Sequence, residues 1–226
     1  FGSKRLTGSA AFNLNWVPKK RSIARMIRLG IYAQTFDYAP ELSFNRLSPT
    51  LRLEFNKKNS ASAYRSDFRL RLVNVQRQLG QLQSGDFNIE LQNNSYNVLE
   101  GRYKIENGNW LNPWIFSLSG QYTSTFSKLA AEWDFRRVLW QEKRLAIRLF
   151  GGVFTHNNSP NPTDFYNFGL SGTTDYLFDY YFLGRSDESG IWSHQMFVTD
   201  GGFKSERNIF ADSWMTAANA KVPIYG

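Results

Sequence analysis

The sequence predicts an all-β fold made of about ten to twelve long antiparallel strands. Apolar and polar residues alternate through almost every segment, beginning with LTGSAAFNLNW at residues 6–16. Stretches rich in Asn, Gly, Ser, Pro and Asp separate these segments, as turns require. No segment has the apolar spacing of an amphipathic helix, and no apolar run reaches the roughly 18 residues of a membrane-spanning helix.

The alternating segments follow one another along the chain. In residues 22–35, Arg25 is the exception to the alternation. DFNIELQ and LEGRYKI share one parity, so they form either one long strand or two short strands around NNSYN. Residues 113–126, PWIFSLSGQYTSTF, are predicted as one strand with Phe126 on the same side as Leu118. The later predicted strands are LAAEWDFRRVLW, RLAIRLFGGVF, FYNFGLSGTTDY, IWSHQMFVTD and SWMTAANAKVPIY.

The predicted strands are about 10 to 15 residues long, whereas strands of ordinary globular proteins average five or six. A tilted strand of about 9 to 11 residues crosses a bilayer. Length and alternation together favour an antiparallel transmembrane β-barrel, either of about ten to twelve strands or part of a larger, sixteen-strand one. We interpret residues 1–226 as one barrel domain, either complete or a piece of a longer chain, since it begins with Phe1 and ends within a strand-like pattern.

A soluble β-barrel or sandwich with its apolar face inward would alternate in the same way. The membrane is favoured by mid-strand charges of both signs, by tryptophans near strand ends, and by more strands than the eight of a small ligand-binding barrel. The charged residues predicted to face the lumen are Arg28, Arg52, Glu54, Arg69, Arg71, Glu100, Arg102, Glu132, Asp134, Arg136 and Arg148. The predicted interfacial tryptophans are Trp16, Trp110, Trp114, Trp140, Trp192 and Trp214.

The segment FRLRLVNV, residues 68–75, carries two arginines at alternate positions. An arginine facing lipid at the bilayer midplane costs about 2 to 4 kcal/mol, so Arg69 and Arg71 are predicted to point into the lumen. There they either pair with Glu54, Glu100 or Glu132 on neighbouring strands, or they line a path for anions.

The net charge of +8 comes from arginines that recur singly within strand patterns, not from one basic patch. This distribution argues against nucleic-acid binding. The chain has no cysteine, which excludes disulfides and cysteine-ligated metals. We also expect no cofactor.

Evidence for catalysis is weak in the sequence. The two histidines, His156 and His194, lie in no metal-binding pattern. Ser193 and His194 are adjacent, so a strand would direct them to opposite faces. We predict no catalytic residue and no metal site, and we expect that this chain is not an enzyme.

Residues 168–206 carry two features that resemble a known family. Phe197–Gly202, FVTDGG, is comparable with a late-strand F-x-D-x-G motif, and Gly184-Arg185 with an R-G dipeptide of a lumenal loop, in reversed order. On these features, which include Asp200, Gly201 and Gly202, the chain resembles divergent Bacteroidota members of the outer-membrane assembly and secretion superfamily (BamA- and TamA-like insertases). The resemblance implies a C-terminal barrel region of sixteen strands, more than 226 residues supply at about 20 residues per strand.

These observations give three functional hypotheses. The first is an outer-membrane barrel of a Gram-negative bacterium that is the membrane-embedded part of a protein assembly, insertion or secretion complex, or the anchor of a fused extracytoplasmic domain. The second is a stand-alone porin with an anion-favouring lumen, and the third is a barrel-embedded hydrolase. Expected partners are outer-membrane lipid, lipopolysaccharide and other subunits of an outer-membrane complex.

Overall fold

The structure of the protein is a computed structural model that describes residues 8–19, 22–39, 42–55, 63–82, 89–139, 144–158, 166–169, 176–179 and 210–222. These residues form eleven β-strands: β1 Gly8–Trp16, β2 Ala24–Ala39, β3 Leu42–Phe55, β4 Tyr64–Leu82, β5 Ile89–Asn107, β6 Trp114–Tyr122, β7 Phe126–Val138, β8 Arg144–Asn157, β9 Phe168–Gly169, β10 Phe210–Ala211 and β11 Trp214–Lys221. The predicted all-β fold is confirmed. The described residues include no helix long and apolar enough to cross a membrane.

Nine strands form one antiparallel sheet in the order β1-β2-β3-β4-β5-β6-β7-β8-β11. β9 and β10 pair with each other as a separate two-stranded sheet. Within the described residues, β1 and β11 are the outer strands of the large sheet and do not pair with one another. Closure into a barrel and crossing of a membrane therefore stay predictions.

The longest strands, β4 and β5, have 19 residues each and pair along their whole length. The two alternating segments around NNSYN thus form one strand. The break in alternation at Arg25 also has a structural reason, because the β2–β3 register shifts between Ala24 and Met26. The extra residue of such a bulge interrupts the alternation of faces.

Residues 113–126 are not one strand, because the chain reverses between Tyr122 and Phe126. The Thr123 hydroxyl oxygen accepts hydrogen bonds from the N–H groups of Thr125 and Phe126, both at 3.0 Å. The N–H of Thr123 donates to the carbonyl of Phe126 at 2.8 Å. Phe126 is fully buried among aromatic rings, whereas Leu118 is 46% exposed. The prediction that these two residues share a side is wrong.

The predicted strand FYNFGLSGTTDY, residues 165–176, does not join the large sheet in its described part. Within 166–169, Phe168–Gly169 pair only with Phe210–Ala211. Residues 166–169 and 176–179, which we call the inner segments, pack across one face of the large sheet instead of extending it.

The register keeps two unlike faces apart across all nine strands. One aligned row crosses what we call the apolar face: Leu14, Leu29, Leu51, Leu70, Gly101, Gly120, Leu129, Val153 and Trp214. The adjacent row crosses the other side, the charged face: Asn15, Arg28, Arg52, Arg69, Arg102, Ser119, Ala130, Gly152 and Met215. Alternation along each strand produces both rows.

The two faces of the sheet differ in burial within the described residues. Part of the charged face is buried together with the inner segments, and its buried side chains include Phe44, Val73, Val75, Val98 and Phe126. On the apolar face, Leu29 and Leu129 are each 50% exposed and Phe12 is 67% exposed. A large contiguous exposed apolar surface of this kind marks contact with a membrane or another protein.

Candidate functional site

The register places all eleven charged residues that were predicted to face the lumen on the charged face. They are Arg28, Arg52, Glu54, Arg69, Arg71, Glu100, Arg102, Glu132, Asp134, Arg136 and Arg148. That this face lines a lumen stays a prediction, because closure of the sheet is not observed.

Glu100 on β5 is the central carboxylate of this face. Its Oε1 accepts hydrogen bonds from Arg69 Nη2 at 2.8 Å and Arg71 Nε at 2.9 Å. Its Oε2 accepts from Arg71 Nη2 at 2.8 Å and from Gln121 Nε2 at 3.0 Å. Both carboxylate oxygens are thus occupied by charged or polar donors. Of the three glutamates that the sequence offered to Arg69 and Arg71, Glu100 is the one that binds them.

Arg71 also binds the second inner segment. Its Nη1 donates to Asp179 Oδ1 at 2.8 Å, and its Nη2 donates to Asp179 Oδ2 at 2.6 Å. Arg46 on β3 donates to the same carboxylate and, at 3.1 Å, to the carbonyl oxygen of Phe178. Arg46 and Arg71 therefore hold Asp179 between two guanidinium groups. Such two-point arginine–carboxylate contacts fix orientation as well as position.

Phe178 has a left-handed backbone, with φ at 52°. This conformation is unfavourable for a bulky residue and persists only where surrounding contacts impose it. The Phe178 ring stacks on Phe44 with centroids 4.1 Å apart, while its carbonyl accepts from Arg46. Because ring, carbonyl and the following Asp179 are all held, the inner segment has one specified position on the sheet.

Tyr176 attaches the inner segment to β5 and β6. The Tyr176 hydroxyl donates to Gln121 Oε1, and the Tyr96 hydroxyl donates to the Tyr176 carbonyl. Gln121 therefore connects Tyr176 with Glu100. The hydrogen bonds form one network from the inner segment to the buried ion pairs.

A buried cation lies among the aromatic rings beside this network. Lys128 Nζ lies 5.3 Å from the ring centroid of Phe168 and 4.9 Å from that of Tyr176, distances typical of cation–π contacts. Tyr166 packs on Phe126 with ring centroids 4.3 Å apart. The pKa of the Tyr166 phenol is raised, because burial disfavours the phenolate.

Away from the inner segments, ion pairs join neighbouring strands. Arg148 Nε donates to Glu132 Oε1 at 2.7 Å, and Arg52 Nε donates to Asp67 Oδ2 at 3.2 Å. These side chains are part-buried. The charged face thus combines pairs between strands with a set of pairs to the inner segment.

The predicted interfacial tryptophans are only partly described. Trp16 ends β1, Trp114 begins β6, Trp214 begins β11, and Trp110 lies between β5 and β6. Trp16, Trp110 and Trp214 are exposed. Trp140 and Trp192 lie outside the described residues, as do the motif residues Gly184, Arg185, Asp200, Gly201 and Gly202.

Four residues that hold the inner segments were not among the predicted site residues: Arg46, Gln121, Lys128 and Asp179. Arg46 and Gln121 carried a usable signal, since both fall at polar positions of alternating segments. Asp179 carried none, because its partners lie 108 and 133 positions away in the chain.

The described residues contain no group of three or more His, Asp or Glu side chains that would hold a metal ion. The chain matches no protein-family model, no curated protein and no solved structure.

Proposed function

We propose that this chain forms the wall of an outer-membrane β-barrel in a Gram-negative bacterium. In this proposal it is the membrane-embedded part of a protein assembly, insertion or secretion complex, or the anchor of a fused extracytoplasmic domain. The apolar face contacts lipid, including lipopolysaccharide, and the charged face lines the interior.

The observation that carries the proposal is the pairing of an exposed apolar face, continuous over nine strands, with a charged face that is largely buried or part-buried on β2 to β8. Leu29, Leu70, Leu99 and Leu129 are partly exposed on this face, and transfer of their exposed area into hydrocarbon is favourable by about 25 cal/mol per Å². In a closed antiparallel barrel every backbone N–H and C=O group of the strands is hydrogen-bonded to a neighbouring strand. Strands cross a bilayer only when this condition is met.

The inner segments favour an assembly or anchoring role over an open pore. They occupy the charged face with aromatic rings and with a carboxylate held by two arginines. An interior filled in this way leaves less space for solute than a water-filled porin channel. The porin alternative therefore requires a path that avoids Arg46, Arg71 and Asp179.

Tryptophan fluorescence in lipid vesicles tests the membrane part of the proposal. The full chain is folded into vesicles of phosphatidylcholine or of its acyl-chain-brominated analogue. Bromine quenches indole only at contact, and Trp16, Trp133 and Trp214 are exposed on the apolar face. We expect strong quenching, with little effect of a water-soluble quencher such as iodide. A monodisperse protein in detergent-free buffer, with no quenching by bromolipid, would contradict the proposal.

Planar-bilayer recordings separate the filled barrel from the porin. We expect no steady conductance from the wild-type chain. A stable anion-selective conductance would instead support the porin alternative.

A further inference from the structure

Four arginines on adjacent strands form one row on the charged face. The register pairs Arg28 with Arg52, Arg52 with Arg69 and Arg69 with Arg102. Neighbouring strands are about 4.8 Å apart, so the backbone positions of the four arginines follow each other across the sheet at roughly that spacing. We propose that this arginine row binds phosphate-type oxyanions.

Like charges directly opposite each other on paired strands are destabilising. Here the sequence places them opposite three times in succession, although a single substitution would relieve each contact. Sequences break local rules of this kind at functional sites. A bound anion would remove the repulsion, because each phosphate oxygen accepts hydrogen bonds from the planar arginine forks.

The neighbouring carboxylates compensate the row only in part. Asp67 binds Arg52, and Glu100 binds Arg69 but is shared with Arg71. Arg28 donates to the neutral amide oxygen of Asn15 at 2.7 Å. Arg102 has no hydrogen bond or ion pair with another described residue. Among the described residues, therefore, no carboxylate binds the two end arginines of the row, Arg28 and Arg102.

Small residues continue the row beyond Arg102. Ser119 lies opposite Arg102, and Ala130 lies opposite Ser119. These side chains fill little of the space above the sheet, so a ligand beside Arg102 meets a hydroxyl and a methyl group. The described inner segments form hydrogen bonds with Arg46 and Arg71, and none is seen between their described residues and the four arginines of the row. The row is linked to the contacts that hold Asp179 only through Glu100, which binds both Arg69 and Arg71.

Titration with inorganic pyrophosphate tests the proposal, since its two phosphoryl groups are able to engage neighbouring arginines. The full chain in detergent micelles is titrated by calorimetry at low ionic strength. We expect saturable binding that weakens as salt is added. Arg102→Gln removes a cation with no described partner, so the fold should be kept, and affinity should fall roughly tenfold or more, as loss of a charged hydrogen bond produces.

Arg137→Gln is the matched control. It removes the same charge from a position near the end of β7 that the register places on the apolar face. We expect its affinity to stay within about twofold of wild type, because Arg137 lies on the opposite side of the sheet from the arginine row. Absence of saturable binding by the wild type, or equal weakening by both substitutions, would overturn the proposal. Far-UV circular dichroism of both variants confirms that each is folded.

A parallel titration with short-chain phosphatidic acid, soluble below its micellar concentration, identifies the source of the phosphate. Tighter binding of pyrophosphate supports a water-borne ligand, and tighter binding of the lipid supports a headgroup at the same row. The measurement can fail or succeed separately from the proposed barrel, because it requires only the register of β2–β5.

Discussion

Asp179 and Arg71 lie 108 positions apart and meet through two parallel hydrogen bonds, with Nη1–Oδ1 at 2.8 Å and Nη2–Oδ2 at 2.6 Å. The same guanidinium group binds Glu100 on the neighbouring strand. One arginine thus connects the sheet to the segment that covers it. Strands β1–β8 pair in chain order without this contact. The role of the Arg71–Asp179 contact is therefore to determine where residues 176–179 lie on the sheet.

Asp179→Asn should loosen the inner segment. The amide keeps the shape of the carboxylate but cannot neutralise Arg46 and Arg71, which are buried on the sheet. We expect the free energy of unfolding to fall by about 1 to 3 kcal/mol, measured by urea unfolding in micelles. In the proposed barrel, the variant should also show a conductance that the wild type lacks.

Asp212→Asn provides the control, since Asp212 is exposed and its carboxylate bonds only to the adjacent Ser213 among the described residues. Its stability should lie within about 0.5 kcal/mol of wild type. Equal stability of both variants would mean that the Asp179 contacts do not hold the segment.

Gly152→Ala should displace the first inner segment. A Cβ at Gly152 would lie 2.6 Å from an atom of the Phe168 ring, which is itself buried, so the ring has to move. Overpacking of this kind costs about 1 to 3 kcal/mol. Thermal unfolding in micelles measures the loss of stability.

The adjacent glycine is a close control for that substitution. A Cβ at Gly151 meets no atom within 4 Å, because Gly151 lies on the apolar face. Gly151→Ala should be neutral or slightly stabilising, since alanine loses less backbone entropy than glycine when the strand forms. A similar loss of stability in both variants would show that backbone conformation, not contact with Phe168, makes these glycines necessary.

The division of the sheet into two faces could be predicted from the sequence, because the side to which a strand residue points depends only on its position along that strand. Alternate positions such as Leu70 and Arg71 point to opposite sides whatever their partners are. The placement of the eleven charged residues on one face therefore needed no long-range information. The same logic could not identify the inner segments, because Phe168 and Asp179 contact residues far away in the chain and follow no periodic pattern.

The hairpin at Thr123 was missed for a related reason. Tyr122 and Phe126 are four positions apart, so continued alternation would place them on one face. The two-residue reversal at Ser124 and Thr125 moves Phe126 to the other face. The signal was the run of hydroxyl residues TST, since such side chains bind backbone N–H groups in turns.

Thr123→Ala tests that account of the reversal. The substitution removes the acceptor for the N–H groups of Thr125 and Phe126, the latter buried. We expect a loss of about 1 kcal/mol in the free energy of unfolding, and recovery in Thr123→Ser, which keeps the hydroxyl. Ser124→Ala, at the exposed tip, should change stability by less than about 0.5 kcal/mol. If both alanine variants lose the same stability, the Thr123 hydroxyl has no special role.

Leu118 and Ser119 offer the most direct test of which face meets lipid. They are adjacent on β6 and point to opposite sides, Leu118 to the apolar face and Ser119 towards Arg102. Leu118→Glu should reduce the yield of protein folded into vesicles, because a carboxylate on the lipid face costs free energy, up to about 2 kcal/mol. Ser119→Glu adds the same charge opposite Arg102 and should fold as well as wild type. The folded fraction is measured by the shift in electrophoretic mobility between unheated and heated samples.

In a water-soluble sheet the result would be different, since Leu118 is 46% exposed and a glutamate there would be harmless. Equal yields of the two variants would therefore mean that lipid does not contact the apolar face. That result would contradict the proposed barrel.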